Sequence, residues 1–354
     1  MLFYQKTALY SLLPDLEYPE ELGQSPSGSR SRRFRILLPI LILIFVAAFA
    51  LSLVLLIPHP IPESCTHPSF RREWRTLNME EKLSYISAAQ CSAKTPSVSL
   101  RNDNASIHDE FALLHGRFGN YHSRNAAPFL PWHRYFIHVY KQALRENCDY
   151  QGSLPYWDWT LNHQDLSRAP VWNIIDGFGP SRNENGSEGV AGGNCVVSGP
   201  FAGLVPTFYE GFRDPHCLSR GMLDEETVRG VGDLTVKPSE LTRLANTNES
   251  YFDFLIELEY TPHLVIPYIL QDQLFYLHHA RIDRLWWIWQ HLSEANRSEH
   301  NGPSTNESSV EGVLRDFLDS GIFRPMRPRV EKDVMNTERG LLCYQYDTTA
   351  WEES

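Results

Sequence analysis

Several things are missing from this chain, and each absence narrows what it does. Beyond residue 57 there is no basic stripe, and the 354 residues carry a net charge of −11. A polyanion such as nucleic acid is therefore not an expected partner. No internal repeat is visible, which argues against a solenoid or propeller. No cysteine occurs before residue 65, and no charge interrupts the 22 residues from Ile36 to Ile57.

That uncharged run is as long as a bilayer crossing at a helical rise of about 1.5 Å per residue. It exceeds the apolar region of a cleaved signal peptide, about 7–15 residues, and no small-residue cleavage site follows it. Arg30, Arg32, Arg33 and Arg35 crowd its first flank, whereas Pro58 to Glu63 contain neither Lys nor Arg. By the positive-inside rule the tail stays in the cytosol and the rest of the chain faces a lumen or the outside. The expected organisation is a cytosolic tail (1–33), a transmembrane signal-anchor helix (34–57), a Pro- and Ser-rich stalk (58–70) and one large domain (71–354). This makes the chain a single-pass membrane protein.

What is present on the far side agrees with that placement. All six cysteines (Cys65, Cys91, Cys148, Cys195, Cys217 and Cys343) follow the apolar run. An even number in an oxidising compartment predicts disulfides, although six cysteines allow about 15 pairings. Five Asn-x-Ser sequons, at Asn104, Asn185, Asn248, Asn296 and Asn306, lie on the same side, with none in the tail. Apolar residues make up 42 % of the chain, enough for a sizeable core.

Helical spacing runs through Glu73–Ala89, Asp109–His115, Trp132–Leu144, Tyr251–Leu258 and Leu274–Gln290. In the third of these Trp132, Phe136, Ile137, Tyr140 and Leu144 form one apolar stripe. The stretch from Asp176 to Gly203 is rich in Gly, Asn and Ser and reads as loop, pinned by Cys195 and Cys217. The domain is expected to be mainly α.

Two histidine clusters on aromatic-rich helical segments carry the chemistry. The first comprises His115, His122 and His133, the last within Phe129-Leu130-Pro131-Trp132-His133-Arg134-Tyr135. The second lies around His263 and the pair His278-His279, within Leu274-Phe275-Tyr276-Leu277-His278-His279-Ala280-Arg281-Ile282-Asp283-Arg284. A lone histidine is usually an ordinary polar or core residue, and it is the long, specific context that sets these apart. Imidazole nitrogen suits both Cu(I) and Cu(II) without thiolate, and three such ligands leave positions open for oxygen. His108, about two turns before His115, lacks a matching context, and His138 lies on a different face from His133, so both are set aside.

These motifs resemble those of the tyrosinase and catechol oxidase family of dicopper proteins, in its fungal form. The resemblance spans roughly residues 65–350. It implies an antiparallel four-helix bundle with long loops, holding two copper ions. His115, His122 and His133 match the ligands of the first copper, the third in its Phe-Leu-Pro-Trp-His-Arg context. Some members join a Cys two residues before the second of these to a neighbouring ring. Asn120 stands there, so no such crosslink is expected. Leu154-Pro155-Tyr156-Trp157-Asp158-Trp159 also matches the family and is expected to pack behind this site. The family's second copper takes two histidines four apart plus one from the His-His pair. His263 and His279 match the first and third, but the middle position holds Pro267. Proline lacks the N–H for the helical bond back to His263 and pushes its predecessor from helical angles. A glycine-rich loop before Asp272 is also missing. His278 could supply a third nitrogen in principle, but adjacent helical residues point about 100° apart, so both rings of the pair are not expected to reach one metal.

The resemblance further implies O2 and a small phenol as reactants, with ortho-diphenols oxidised to ortho-quinones and monophenols hydroxylated in some members. Leu264 replaces the Asn that often follows the first ligand of the second copper and helps a Glu hold a water. This favours diphenol oxidation. Glu257 and Glu259 are the candidate acids, and Asp283-Arg284 is expected to be structural. Cys343-Tyr344-Gln345-Tyr346 resembles the Tyr-x-Tyr signature closing the family's catalytic domain, and no shielding C-terminal domain is expected after it. Two other readings compete: a catalytically impaired ectodomain acting as a binding or scaffold module, and a mononuclear zinc or copper protein using His115, His122 and His133.

Overall fold

The computed structural model describes Phe45 and residues 65–347, apart from 101–103, 120–122, 182–184, 222–229, 231, 233, 248–249, 267–273, 306–309, 311, 313–316 and 319–328. The chain divides into two compact units, Met1–Pro60 and Ile61–Ser354. The expected membrane run lies outside the described residues except for Phe45. Among the described residues no helix is long and apolar enough to cross a membrane.

The second unit is mainly helical. Among the described residues its α-helices are α1 (Met79–Ser92), α2 (Ile107–Leu114), α3 (Phe129–Cys148), α4 (Pro238–Thr247), α5 (Tyr251–Leu258) and α6 (Leu274–Leu292). Their starts follow local chemistry. In α1 the Asn78 side chain accepts from the Glu81 N–H while Glu81 reaches back to the Asn78 N–H, and Ser106 and Asp109 do the same for α2. Each such box satisfies two donors that the helix leaves open. Helix α3 tolerates Pro131 because it falls in the first turn. Its residues Phe129–Tyr140 are all buried, so α3 runs through the core with neighbours on every side. Helix α6 packs on α3, and is buried from Tyr276 to Trp286. Helix α4 has no counterpart in the sequence reading; it is short and mostly polar, with only Leu241, Leu244 and Ala245 buried.

Among the described residues eight short strands form four two-stranded pairs. Strand β1 (Ser69–Arg71) runs parallel to β8 (Tyr344–Tyr346), with Arg71 opposite Tyr346. Cys65 is bonded to Cys343 beside this pair. Residues 65–70, expected to belong to a stalk, are thus built into the domain, because the strand and the disulfide tie them to the far end of the chain. The other two disulfides join Cys91 to Cys148, linking α1 to the end of α3, and Cys195 to Cys217. The last pins the glycine-rich loop as expected, next to the pairing of β2 (Asn194–Cys195) with β5 (Ser219–Arg220).

The family signatures meet in one buried polar network. The Asp283 carboxylate accepts from Arg71 Nη1 at 3.0 Å, from Arg134 Nε, and from the Tyr344 and Tyr346 hydroxyls. Period-two spacing in β8 puts both tyrosines on its inner face. The Arg71 guanidinium lies 3.5 Å over the Tyr344 ring, and that of Arg134 lies 3.6 Å over Trp286. Burial alone would raise the Asp283 carboxyl. Arg134, Arg71 and the two hydroxyls outweigh it and hold the group below the usual carboxylate range. Asp283 is structural as expected, and of the two expected forms, ion pair or helix-surface contact, it takes the ion pair, as a buried hub.

Candidate metal centre

Four helical segments carry the histidines. His115 opens a π-helical turn (His115–Gly119) at the end of α2, and His263 closes another (Glu259–His263) at the end of α5. His133 stands one turn into α3, and His278 and His279 stand in the second turn of α6. The wide π turn accommodates Pro262, whose missing N–H would break an α-helical bond. Gly119 leaves room for the first ligand, since a Cβ there would lie 2.7 Å from the His115 ring and 3.0 Å from Trp132. A hairpin of β3 (Phe208–Tyr209) and β4 (Phe212–Arg213) braces this turn, with Arg117 donating to the Gly211 carbonyl at 3.0 Å.

Five histidines converge in two overlapping groups. Ligand atoms of His115, His133 and His279 all lie within 4.8 Å of one another, and so do those of His263, His278 and His279. The His133 and His279 rings stack with centroids 4.4 Å apart. His278, expected not to share a metal with His279, belongs to the same group as His279. It faces His263 across the cluster, with ring centroids 5.6 Å apart, because His263 reaches α6 from a separate segment. His108 and His138 join neither group. His122, Asn120 and Pro267 lie outside the described residues.

The state of these rings suits a metal. His133 donates through Nδ1 to the Phe129 carbonyl at 2.7 Å, since a carbonyl can only accept. That fixes the tautomer and leaves Nε2 with its lone pair free. His133 Nε2, His263 Nδ1 and both nitrogens of His278 and His279 are buried without a hydrogen-bond partner. Such orphaned polar atoms are costly unless something else engages them. Burial pushes His133 down to about 4, with Arg124 adding to the effect and the Phe129 carbonyl opposing it. Burial takes His278 to about 3. The His263 backbone opposes this, though without hydrogen-bond geometry to the His278 ring. His115, His263 and His279 are lowered well below the ordinary value by burial and by the neighbouring histidines. All five are therefore neutral near pH 7, which is the form that binds metal. Among the described residues no carboxylate or thiolate enters either group, and an all-imidazole donor set suits copper.

Aromatic rings wall the cluster. Phe275 lies 4.5 Å from the His115 ring and 4.2 Å from that of His279, and Phe129 lies 4.6 Å from His133 and 4.9 Å from His263. Trp159, from the segment expected behind the first copper, lies 6.2 Å from His278. The same segment supports α6, where Asp158 pairs with Arg281 at 3.1 Å.

The two candidate acids part company. Glu257 pairs with Arg243 of α4 on the outer side of α5. Glu259 is fully buried and accepts from Arg124 Nε at 3.1 Å and from the Asn125 N–H at 2.9 Å. Burial raises its carboxyl, opposed by the Asn125 N–H and Arg124. Glu259 opens the π turn that His263 closes, and the charge of its partner Arg124 also lowers His115, His133 and His263. Arg124 is a loop residue with no pattern around it, and nothing in the sequence singles it out.

Comparison with known proteins agrees with this geometry. The profile of the common central domain of tyrosinase matches residues 105–292. The tyrosinase-like protein phomQ1 of Diaporthe leptostromiformis is 37% identical over 322 residues, covering 81% of this chain and 79% of that protein. Tyrosinase ustQ of Aspergillus flavus is 36% identical over 293 residues, covering 80% of each. N-acetyl-6-hydroxytryptophan oxidase ivoB of Emericella nidulans is 27% identical over 342 residues, covering 79% and 92%. In fold, the chain is similar to a polyphenol oxidase of Thermothelomyces thermophila, with a TM-score of 0.67 at 24% identity over 79% of this chain and 89% of that one. Profile, relatives and an all-imidazole cluster point the same way: this chain belongs to the tyrosinase family and is a copper oxidoreductase whose cofactor is a copper pair.

Proposed function

We propose that the chain uses O2 to oxidise ortho-diphenols to ortho-quinones, from a domain that an N-terminal helix anchors on the lumenal or extracellular side of a membrane. The observation that carries the chemistry is the meeting of five histidines in two groups whose ligand atoms lie within 4.8 Å of one another in each. When bound, the copper pair supplies the electrons that reduce O2. The chain does the rest. His115, His133, His263 and His279 would hold the metals, with His122 as the expected further ligand. Phe129 and Phe275 keep water from the rings. Glu259, raised by burial and held by Arg124 and Asn125, is the group placed to take and return a proton, whereas Glu257 is occupied with Arg243. A hydroxylated aromatic substrate is consistent with the one in the name of the ivoB relative. Leu264 after His263 favours diphenol oxidation over monophenol hydroxylation.

Replacing His133 by Ala removes a ligand from the centre of the cluster. Catechol oxidation, followed as quinone absorbance, should fall to background, and retained activity would refute the site. Pro267 in place of an expected histidine favours one second reading, a binding module without a working copper pair. A metal count on the purified chain separates the two, since that reading requires about one copper or none.

The placement outside the cytosol is supported by the uncharged run Ile36–Ile57, its basic flank and the three disulfides. Asn104 and Asn185 are exposed and open to glycosylation, whereas the Asn296 amide donates to the Trp289 carbonyl at 3.0 Å. Intact vesicles carrying the full chain should protect the domain from added protease and leave the tail cleavable. Cleavage of the domain under those conditions would reverse the topology.

A further inference from the structure

The family pattern calls for a histidine at position 267 and the chain has Pro267, yet three imidazoles still meet at that end of the cluster. His278 is only 1% exposed and both its ring nitrogens are without a hydrogen-bond partner. A buried histidine in a helix can satisfy one ring nitrogen by donating Nδ1–H to the carbonyl four residues earlier. His133 does so to Phe129 and His291 does so to Trp287, both at 2.7 Å. His278 does not use that option. Its ring is turned instead toward His263, with planes 29° apart, and lies 5.2 Å from the His279 ring at 75°. The Trp159 ring lies 6.2 Å from that of His278, tilted by 40°.

We propose that His278 is the third ligand of the second copper in this chain, completing with His263 and His279 the set from which position 267 has dropped out. The loss at 267 is then a change of ligand and not a loss of the site. His115 and His133, with His122 as their expected partner, remain for the first copper. The inference rests on the copper-pair reading above.

The test uses the purified full-length chain, loaded with Cu(I) under argon and then oxidised. The parent chain should hold about two coppers with little paramagnetic resonance signal, because two coupled Cu(II) ions cancel. His278→Phe keeps the ring volume beside Trp159 but offers no nitrogen. It should hold about one copper, about a twofold loss, and show the signal of an isolated Cu(II). His278→Cys gives a positive signature that does not depend on that loss: a thiolate bound to Cu(II) absorbs strongly in the visible, where the parent does not. About two coppers in His278→Phe, or no such band in His278→Cys, would overturn the assignment while leaving the pair in place. A parent chain holding about one copper or none would instead bring down the copper-pair reading, and this inference with it.

Discussion

His133 divides its two nitrogens between the fold and the site. Nδ1 is committed to the Phe129 carbonyl one turn back in its own helix, so Nε2 faces the cluster with a lone pair and no proton. The same economy governs the pH behaviour. His133 titrates near 4 and His278 near 3 in the fold, against about 6.5 in an unfolded chain. A folded-state value below the unfolded one means that the unfolded chain binds more protons between the two. The stability associated with these rings is thus fully present above about pH 6.5 and is lost as pH falls toward the folded values. Each ring contributes a slope on the order of 1.4 kcal/mol per pH unit inside that window. For the copper-free chain, the melting temperature should fall steadily from pH 7 to pH 4; a flat profile would mean that the rings are not buried as described. Glu259 makes a second prediction at this scale. Glu259→Gln keeps the shape but cannot carry a proton as a carboxylate does, and should slow diphenol turnover by roughly 100-fold. Glu257→Gln should leave turnover unchanged, since that side chain faces α4. Equal effects of the two would remove Glu259 from its role.

The helical elements reach the site through irregularity. Both His115 and His263 sit on π turns at the ends of short helices, where one extra residue per turn re-aims a side chain without ending the segment. Periodicity of 3.6 residues reads α2 and α5 correctly but cannot announce such a turn, because its signature is a single displaced residue. Pro262 is the visible trace, as a proline that an α-helix would not accept just before a ligand. The first π turn also depends on Gly119, whose missing Cβ gives the His115 ring its place. Gly119→Ala should destabilise the domain by about 1–3 kcal/mol through overpacking. It should also weaken copper binding at the first site, as read by metal titration. An unchanged melting temperature together with unchanged copper affinity would show that the ring has room to move.

In the domain as a whole, residues far apart in sequence hold the two histidine helices together. Asp283 follows His279 by one turn in α6 and is bonded to Arg134, the neighbour of His133 in α3. Arg71 from β1 and Tyr344 and Tyr346 from β8 complete its shell. The relative position of the two clusters is therefore set within one helical turn of His133 and His279. Asp283→Asn would leave two buried guanidinium groups without their counter-charge, and breaking a buried pair in this way costs about 3–5 kcal/mol. Chemical denaturation should show a loss of that size, together with poorer copper retention. A loss below about 1 kcal/mol would make the network incidental.

The sequence by itself determined the metal chemistry and much of the helical frame. Its long aromatic motifs name His133 and His279, helical spacing places the segments around them, and the cysteines announce an oxidised domain. Those are local signals, carried by side-chain type and by spacing along one element. The tertiary structure alone decided which of the 15 or so cysteine pairings forms, which of two glutamates pairs with Arg124, and that His278 turns toward His263. Each depends on segments from distant parts of the chain meeting in space. Neither residue type nor periodicity records the direction from which a neighbouring segment arrives.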